Sequence, residues 1–130
     1  MKCFMEKHHF EQAKLWLEGA KYIASCATED NNKYAVAVAM AVHSIIKAND
    51  TLTYKYLQEV AKRHDEAPKL FEEAIKRHGL DGKSSYKHII YEAIGNKAKA
   101  EYRGAFFSKN DFESIRRNAE KFIKMIEELV

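Results

Sequence analysis

Residues 33–57, KYAVAVAMAVHSIIKANDTLTYKYL, decide the fold of this chain. The opening part, residues 34–42, is apolar on every side, and its alternation of Val with Ala would also suit a buried strand. Ala is the best helix former and a poor strand former, however, and no Gly or Pro interrupts the segment before Leu57. The stretch therefore predicts a helix, and a helix that is apolar all round belongs in the middle of a bundle.

The segments on either side of this stretch also predict helices. A first helix is expected from about Glu6 to Cys26, because apolar residues recur there at steps of three and four. The apolar positions of this helix are Phe10, Ala13, Leu17, Ala20, Ala24 and Ala27, with Trp16 and Ile23 beside them. Residues 65–68, Asp-Glu-Ala-Pro, are typical of a helix start with a capping acid and a Pro in the first turn. Gly79 predicts the end of that helix.

Two more helices are expected toward the carboxyl end of the chain. The turn at residues 82–85 opens the fourth helix, which is expected to loosen at Gly95 and to resume to about Gly104. The last helix runs to Val130 and begins with Ser108-x-x-Asp111, the pattern of a capping box. The apolar residues expected on one face of this helix are Phe112, Ile115, Ala119, Phe122, Ile123, Ile126 and Val130. Together these elements predict an all-α fold, an up-and-down antiparallel bundle of about five helices that forms one domain over residues 1–130.

The composition narrows the class of protein. A net charge of +3 is compatible with a phosphate-bearing partner but too small to require one. The two cysteines, Cys3 and Cys26, belong to no Cys-x-x-Cys pair, so neither a disulfide framework nor a thiolate zinc site is expected. The first residues lack a leader pattern, and the longest apolar run is far shorter than the ~20 residues that cross a bilayer. We therefore expect a cytoplasmic protein that is neither secreted nor embedded in a membrane.

A polar stripe on the second helix is the first candidate site. His43, Lys47, Asp50 and Tyr54 follow one another at helical spacing, so they share one face of an otherwise apolar helix. An imidazole, an ammonium, a carboxylate and a phenol on one face could line a pocket or an interface. The competing interpretation is that the helix reaches the surface here and that the stripe is solvated.

A basic and aromatic run in the region of the fourth helix is the second candidate. Its cations could hold phosphates and its tyrosines could stack on bases, as in proteins that bind single-stranded nucleic acid. Glu92 and Glu101 interrupt the run, so a solvated helix face is the competing interpretation. The run consists of Lys83, Tyr86, Lys87, Tyr91, Lys97, Lys99, Tyr102 and Arg103.

Other patterns of catalytic or metal-binding type are incomplete. Gly82-Lys83-Ser84 resembles the end of a phosphate-binding P-loop, but Arg77 stands where that motif needs a Gly. Glu6-x-x-His9 has the spacing of a di-iron ligand pair, yet no second Glu-x-x-His exists. No catalytic residue, metal or cofactor is therefore predicted.

Three blocks of the sequence together resemble the HEPN superfamily, whose name refers to nucleotide binding in higher eukaryotes and prokaryotes. The blocks are AVHSIIKANDTLT at residues 41–53, NKAKAEYRG at residues 96–104, and the final helix after Ser108 with AEKF at residues 119–122. The order and spacing of the blocks carry the resemblance, which covers roughly residues 33–128.

The resemblance implies an antiparallel helical bundle, usually a homodimer, that works on or beside RNA or nucleotides. Members include ribonuclease toxins, partners of small nucleotidyltransferases and inactive scaffolding versions. The ribonucleases carry an Arg that is followed, after four to six residues, by a His. No Arg of this chain is followed by a His in that window, which argues against the usual cleavage of RNA.

The leading hypothesis is therefore a non-catalytic HEPN-like homodimer that binds a nucleotide or RNA. The first alternative is a protein-interaction partner of a nucleotidyltransferase or of a toxin–antitoxin system. The second alternative is a divergent, metal-independent ribonuclease that uses His43 or His88. The residues predicted to line the ligand site are His43, Lys47, Asp50, Tyr54, Lys97, Tyr102 and Arg103.

Overall fold

A computed structural model describes residues 4–102 and 104–130 of the chain, with the side chains of Phe4, Asp81 and Tyr102 left out. In this described part the chain forms five α-helices and no strand, which confirms the all-α prediction. The helices are α1 (Phe4–Ser25), α2 (Asn32–Leu57), α3 (Ala67–Arg77), α4 (Lys87–Tyr102) and α5 (Lys109–Leu129). Short 3-10 turns at His64–Glu66 and Asp81–Tyr86 precede α3 and α4.

Helices α1 and α2 form an antiparallel hairpin. Trp16 of α1 stacks on His43 of α2, and His9 near the start of α1 lies beside Tyr54 near the end of α2. Helix α5 runs in the same direction as α2, since the Tyr56 hydroxyl donates to the Leu129 carbonyl at 2.7 Å. The two helices therefore bring their carboxyl ends together.

Helix α4 runs against α5, so that α1, α2, α4 and α5 alternate in direction along the chain. Tyr86, just before α4, lies under the ammonium of Lys121 in the second half of α5. Helix α3 is shorter and runs along the second half of α2: Asn49 donates to the Ala67 carbonyl at 3.2 Å, and the ring of His78 contacts the Tyr56 carbonyl at 3.0 Å.

The apolar stripes of α1 and α5 pack against α2 to form the core. The buried stripe of α5 includes six of the predicted residues, Phe112, Ile115, Ala119, Phe122, Ile123 and Ile126, whereas Val130 follows the helix and is half-buried. On α1, Phe10, Ala13, Leu17 and Ala20 are buried as expected. The expectation for Ala27 was wrong, because α1 ends at Ser25 and leaves that methyl group exposed.

Helix ends follow the local signals with two exceptions. The capping box of α5 is present, since Ser108 accepts from the Asp111 amide at 3.1 Å and Asp111 accepts from the Ser108 amide at 2.9 Å. Gly79 follows α3 with a φ of 66°, where a Cβ would be strained. The predicted capping acid before α3 is wrong: residues 64–66 form a 3-10 turn, and no side chain caps the helix. The loosening at Gly95 is also wrong, because α4 continues through it.

Among the described residues, no helix combines the length and the apolar character needed to span a bilayer.

Candidate functional site

The short connection between α1 and α2 sets which of their residues face each other. Residues 26–31 join the two helices, so positions at roughly equal distances from this connection come together. Trp16 thus lies against His43, with 4.8 Å between ring centroids. The same register places Gly19 against Met40, where an added Cβ would lie 2.6 Å from the Met40 Cε.

The polar stripe of α2 lies in this interface and is largely covered. Asp50 is only 6% exposed, and His43, Lys47 and Tyr54 are half-buried. The competing interpretation of a solvated stripe is therefore wrong for Asp50 and incomplete for the other three. The polar stripe of α2 is covered by α1, by residues 58–66 and by α4. We call this covered surface the seam.

His43 lies at the centre of one end of the seam. Its ring stacks on Trp16 and lies 6.4 Å, centroid to centroid, from the ring of His64 at nearly a right angle. Burial lowers the pKa of His43, and the nearby Lys97 ammonium lowers it further, whereas Glu101 acts in the opposite direction. The imidazole is therefore held toward its neutral form at neutral pH.

Lys97 and Glu101 cover this end of the seam from α4. Their side chains form an ion pair at 2.9 Å, and the Lys97 side chain is only 11% exposed. Burial also lowers the pKa of His64, with Lys97 as the second cause. Two imidazoles with lowered pKa values therefore lie beside one largely buried ammonium.

The other end of the seam holds a buried carboxyl. Burial raises the pKa of Asp50 to about 6, although Lys47 and a hydrogen bond from the Ala61 backbone act in the opposite direction. Burial, followed by Lys47, lowers the pKa of the neighbouring His9. Within the described part of the chain, Asp50 Oδ1 and His9 Nδ1 have no hydrogen-bond partner. This end is thus polar, enclosed and incompletely paired.

Lys47 connects the two ends of the seam. Its charge acts on His43, on His9 and on Asp50. Among the residues that the structure describes, none lies within ion-pair or hydrogen-bond distance of the Lys47 ammonium. The seam therefore contains a half-buried ammonium that no described carboxylate contacts directly, beside two imidazoles whose pKa values are lowered, and such a cation can attract an anion.

The predicted site residues are thus partly brought together. His43, Lys47 and Lys97 share one end of the seam, while Asp50 and Tyr54 continue along α2 beside His9. The backbone of Tyr102 ends α4, and its side chain, like all of Arg103, lies outside the described residues.

Four residues of the seam were not predicted as site residues from the sequence: His9, Trp16, His64 and Glu101. The hairpin register could have identified Trp16, because the expected helices and their short connection already place it opposite His43. Glu101 could have been found from its spacing of four residues after Lys97. No local pattern indicates His64, which reaches the seam only because residues 58–66 return along α2.

The predicted basic and aromatic run does not form one open cationic surface. Lys83 pairs with Glu128 at 3.6 Å, and Lys87 pairs with Glu72. Lys97 lies in the seam, where it pairs with Glu101. Tyr91, on the same helix, is exposed. Three of the four described cations of this run are therefore balanced by neighbouring carboxylates.

The described residues contain no group of three or more His, Cys, Asp or Glu side chains that could hold a metal ion. Two clefts, of about 460 and 630 Å³, lie outside the seam, the first between α4 and α5 and the second between α1, α5 and the start of α2. Neither cleft is lined by a residue predicted to line the ligand site, although Lys99 of the basic and aromatic run lines the first cleft.

No model of a known protein family matches this chain, and no curated protein is similar to it.

Proposed function

We propose that this protein is a non-catalytic, HEPN-like module that binds a nucleotide or RNA in the seam and acts as a homodimer. The observation that carries the proposal is Lys47, a half-buried ammonium without an ion-pair partner among the described residues. A cation held in this way loses part of its hydration, and a phosphate would restore the balance of charge.

The surroundings of Lys47 fit the other parts of a nucleotide. Trp16 is 36% exposed and already stacks on His43, so its accessible portion offers an aromatic surface to a base. Lys97 adds a second cation at the same end of the seam, and Tyr102 and Arg103 follow it in the sequence. A base on Trp16 with its phosphate toward Lys47 is the arrangement that we expect.

The binding test uses the single tryptophan of the chain, Trp16, as the reporter. We expect mononucleotides or short single-stranded RNA to change its emission in a saturable way at low salt, where phosphate contacts are strongest. Lys47→Met should weaken this binding about tenfold or more, since a charged hydrogen bond is worth ~1.5–3 kcal/mol. The matched control is Lys124→Met, which removes an exposed lysine from α5.

No binding of any mononucleotide or RNA at low salt would contradict the proposal. Equal binding by the wild type and Lys47→Met would contradict the role given to Lys47.

The homodimer is supported by apolar side chains left on the surface of α1. Leu15 and Tyr22 are each 71% exposed and lie two helical turns apart on one face. Light scattering should give twice the mass of the chain, and Leu15→Lys should return it to the monomer. A monomeric wild type at all accessible concentrations would remove this part of the proposal.

The spacing of His43 and His64 supports a second candidate, metal-independent cleavage of RNA. With 6.4 Å between the ring centroids, one imidazole could take the proton of a ribose 2′-hydroxyl while the other, as imidazolium, protonates the departing 5′-oxygen. Lys97 could stabilise the charge on the phosphate. The products would be a 2′,3′-cyclic phosphate and a 5′-hydroxyl end.

Cleavage of end-labelled RNA in the presence of EDTA tests this candidate. Both His43→Ala and His64→Ala should abolish cleavage, and His88→Ala should not. His88 is exposed at the start of α4, more than two turns before Lys97, so it is the matched control. The absence of cleavage by the wild type would reject the candidate and leave the binding proposal intact.

A further inference from the structure

The cleft between α4 and α5 has the form of a second ligand site, separate from the seam. Its volume is about 460 Å³, which lies within the range of ~300–1,000 Å³ that is usual for small-molecule pockets. Buried apolar side chains, among them Ile45, Ile89 and Ile115, form its floor. Residues 105–107 and the first turns of α5 close one end.

Polar side chains converge over this apolar floor. Glu92 and Asn96 extend from α4, and Ser114 and Asn118 face them from α5. Within residues 4–102 and 104–130, none of these four side chains makes a hydrogen bond or an ion pair. In contrast, most carboxylates of α3 and α5 are paired with cations, such as Glu72 with Lys76. The cleft therefore offers free donors and acceptors to a bound molecule.

An aromatic side chain stands at the edge of the cleft. Phe106 lines it and is nevertheless 73% exposed. An exposed ring of this kind has a free face for stacking on a planar ligand. Because the neighbouring Phe107 is buried, the backbone that carries Phe106 is anchored beside the opening.

We propose that the α4–α5 cleft binds an unstacked nucleobase that carries an exocyclic amino group. The amides of Asn96 and Asn118 each present a donor and an acceptor, which is the chemistry that reads a base edge. The carboxylate of Glu92 accepts a hydrogen bond from an amino group, and Phe106 stacks on the base. Adenine has the required amino group and uracil lacks it.

This inference goes beyond the proposed function because the cleft and the seam are different surfaces. Asn96 lines the cleft, whereas the next residue, Lys97, lies in the seam. Consecutive side chains on a helix point about 100° apart, so α4 separates the two sites. A strand of RNA could use both, but either site could also act alone.

Nuclear magnetic resonance of the ¹⁵N-labelled protein tests the inference with AMP and UMP as probes. The side-chain amide signals of Asn96 and Asn118 should shift in a saturable way with AMP. UMP should bind about tenfold more weakly than AMP, which corresponds to one lost base contact. In Glu92→Gln this preference for AMP should fall to less than about threefold.

Phe106→Ala should weaken AMP binding about tenfold, since the ring supplies the stacking surface. The ring is exposed, so the fold should be unaffected. Val36→Ala is the control, because it removes exposed apolar atoms from α2, outside the cleft lining.

Shifts that do not saturate, or an equal loss of AMP binding in Phe106→Ala and Val36→Ala, would overturn the inference. The emission of Trp16 separates the two proposals in the same titration. Saturable emission changes without shifts of Asn96 and Asn118 would overturn the cleft proposal alone. Shifts of the two amides without any change at Trp16 would support the cleft and count against ligand binding in the seam.

Discussion

The first half of α2 is the more apolar half, yet the second, more polar half is the more deeply buried. Residues 34–42 are apolar, yet Val36 is 50% exposed and Met40 is only partly covered. Residues 43–54 carry most of the polar groups of the helix, yet Ser44, Asn49 and Thr53 are completely buried. Burial along this helix therefore follows what packs on each half rather than the hydrophobicity of the half itself.

The neighbours of the second half explain the difference. The first half packs against α1 and lies near the start of α5. The second half is covered in addition by α3, by residues 58–66 and by α4, as the contacts of Asn49, Asp50 and His43 show. A polar stripe enclosed in this way keeps its charges away from water. That enclosure is the physical basis of the seam.

The largest expected effect is the loss of stability when a substitution leaves a cavity in the second half of α2 but not in the first. Leu52 is completely buried in the second half, so Leu52→Ala should lower the free energy of unfolding by about 3 kcal/mol. Val36→Ala in the apolar half should change it by less than about 0.5 kcal/mol. Chemical denaturation measures both. Equal losses would show that the two halves are buried alike.

The next effect concerns the buried carboxyl. The pKa of Asp50 is raised from 3.8 to about 6, so between these pH values the carboxyl is protonated in the folded state and ionised in the unfolded state. Stability contributed by protonated Asp50 is therefore lost as the pH rises from about 4 to 6. Asp50→Asn should stabilise the protein by about 2 kcal/mol at pH 8 and by almost nothing below pH 4.

The control for this substitution is Asp65→Asn, which changes a largely exposed carboxylate that pairs with Arg63. It should alter stability by less than about 1 kcal/mol at either pH. Destabilisation of the protein by Asp50→Asn at pH 8 would mean that Asp50 is ionised and well paired in the fold.

A smaller effect is expected at Asn49. Its side-chain amide donates to the Ala67 carbonyl at 3.2 Å and so ties α2 to the start of α3. Asn49→Ala should cost about 1 kcal/mol, because the carbonyl loses its partner while the unpaired Asn49 Oδ1 is also removed. Asn118→Ala, at the half-open cleft, should cost less than about 0.5 kcal/mol. A cost at Asn118 that equals the cost at Asn49 would contradict this assignment.

The contrast within α2 also explains how far the sequence could predict the structure. The last helix was predicted in detail because its capping box and its apolar stripe are local patterns. The second helix was predicted as a helix, but which of its halves is covered depends on the path of residues 58–66. No spacing rule places His64 near His43 or the Ala61 amide near Asp50.

The candidate site was accordingly found in part. His43, Lys47 and Asp50 could be grouped because a helix fixes which residues share a face. Lys97 came from a separate pattern on α4, and its position beside His43 is a result of tertiary packing. The assignment of the seam to a nucleotide or RNA is a proposal, and so is the HEPN kinship that suggested it.

The most direct test of the seam is the pKa of His43, measured by nuclear magnetic resonance of the imidazole with and without a short single-stranded RNA. In the free protein the pKa should lie below 6.5, because burial and Lys97 disfavour the imidazolium. A phosphate bound at Lys47 should raise it, since a nearby negative charge favours the protonated ring. A pKa of 6.5 or above in the free protein, unchanged at saturating RNA, would contradict the account.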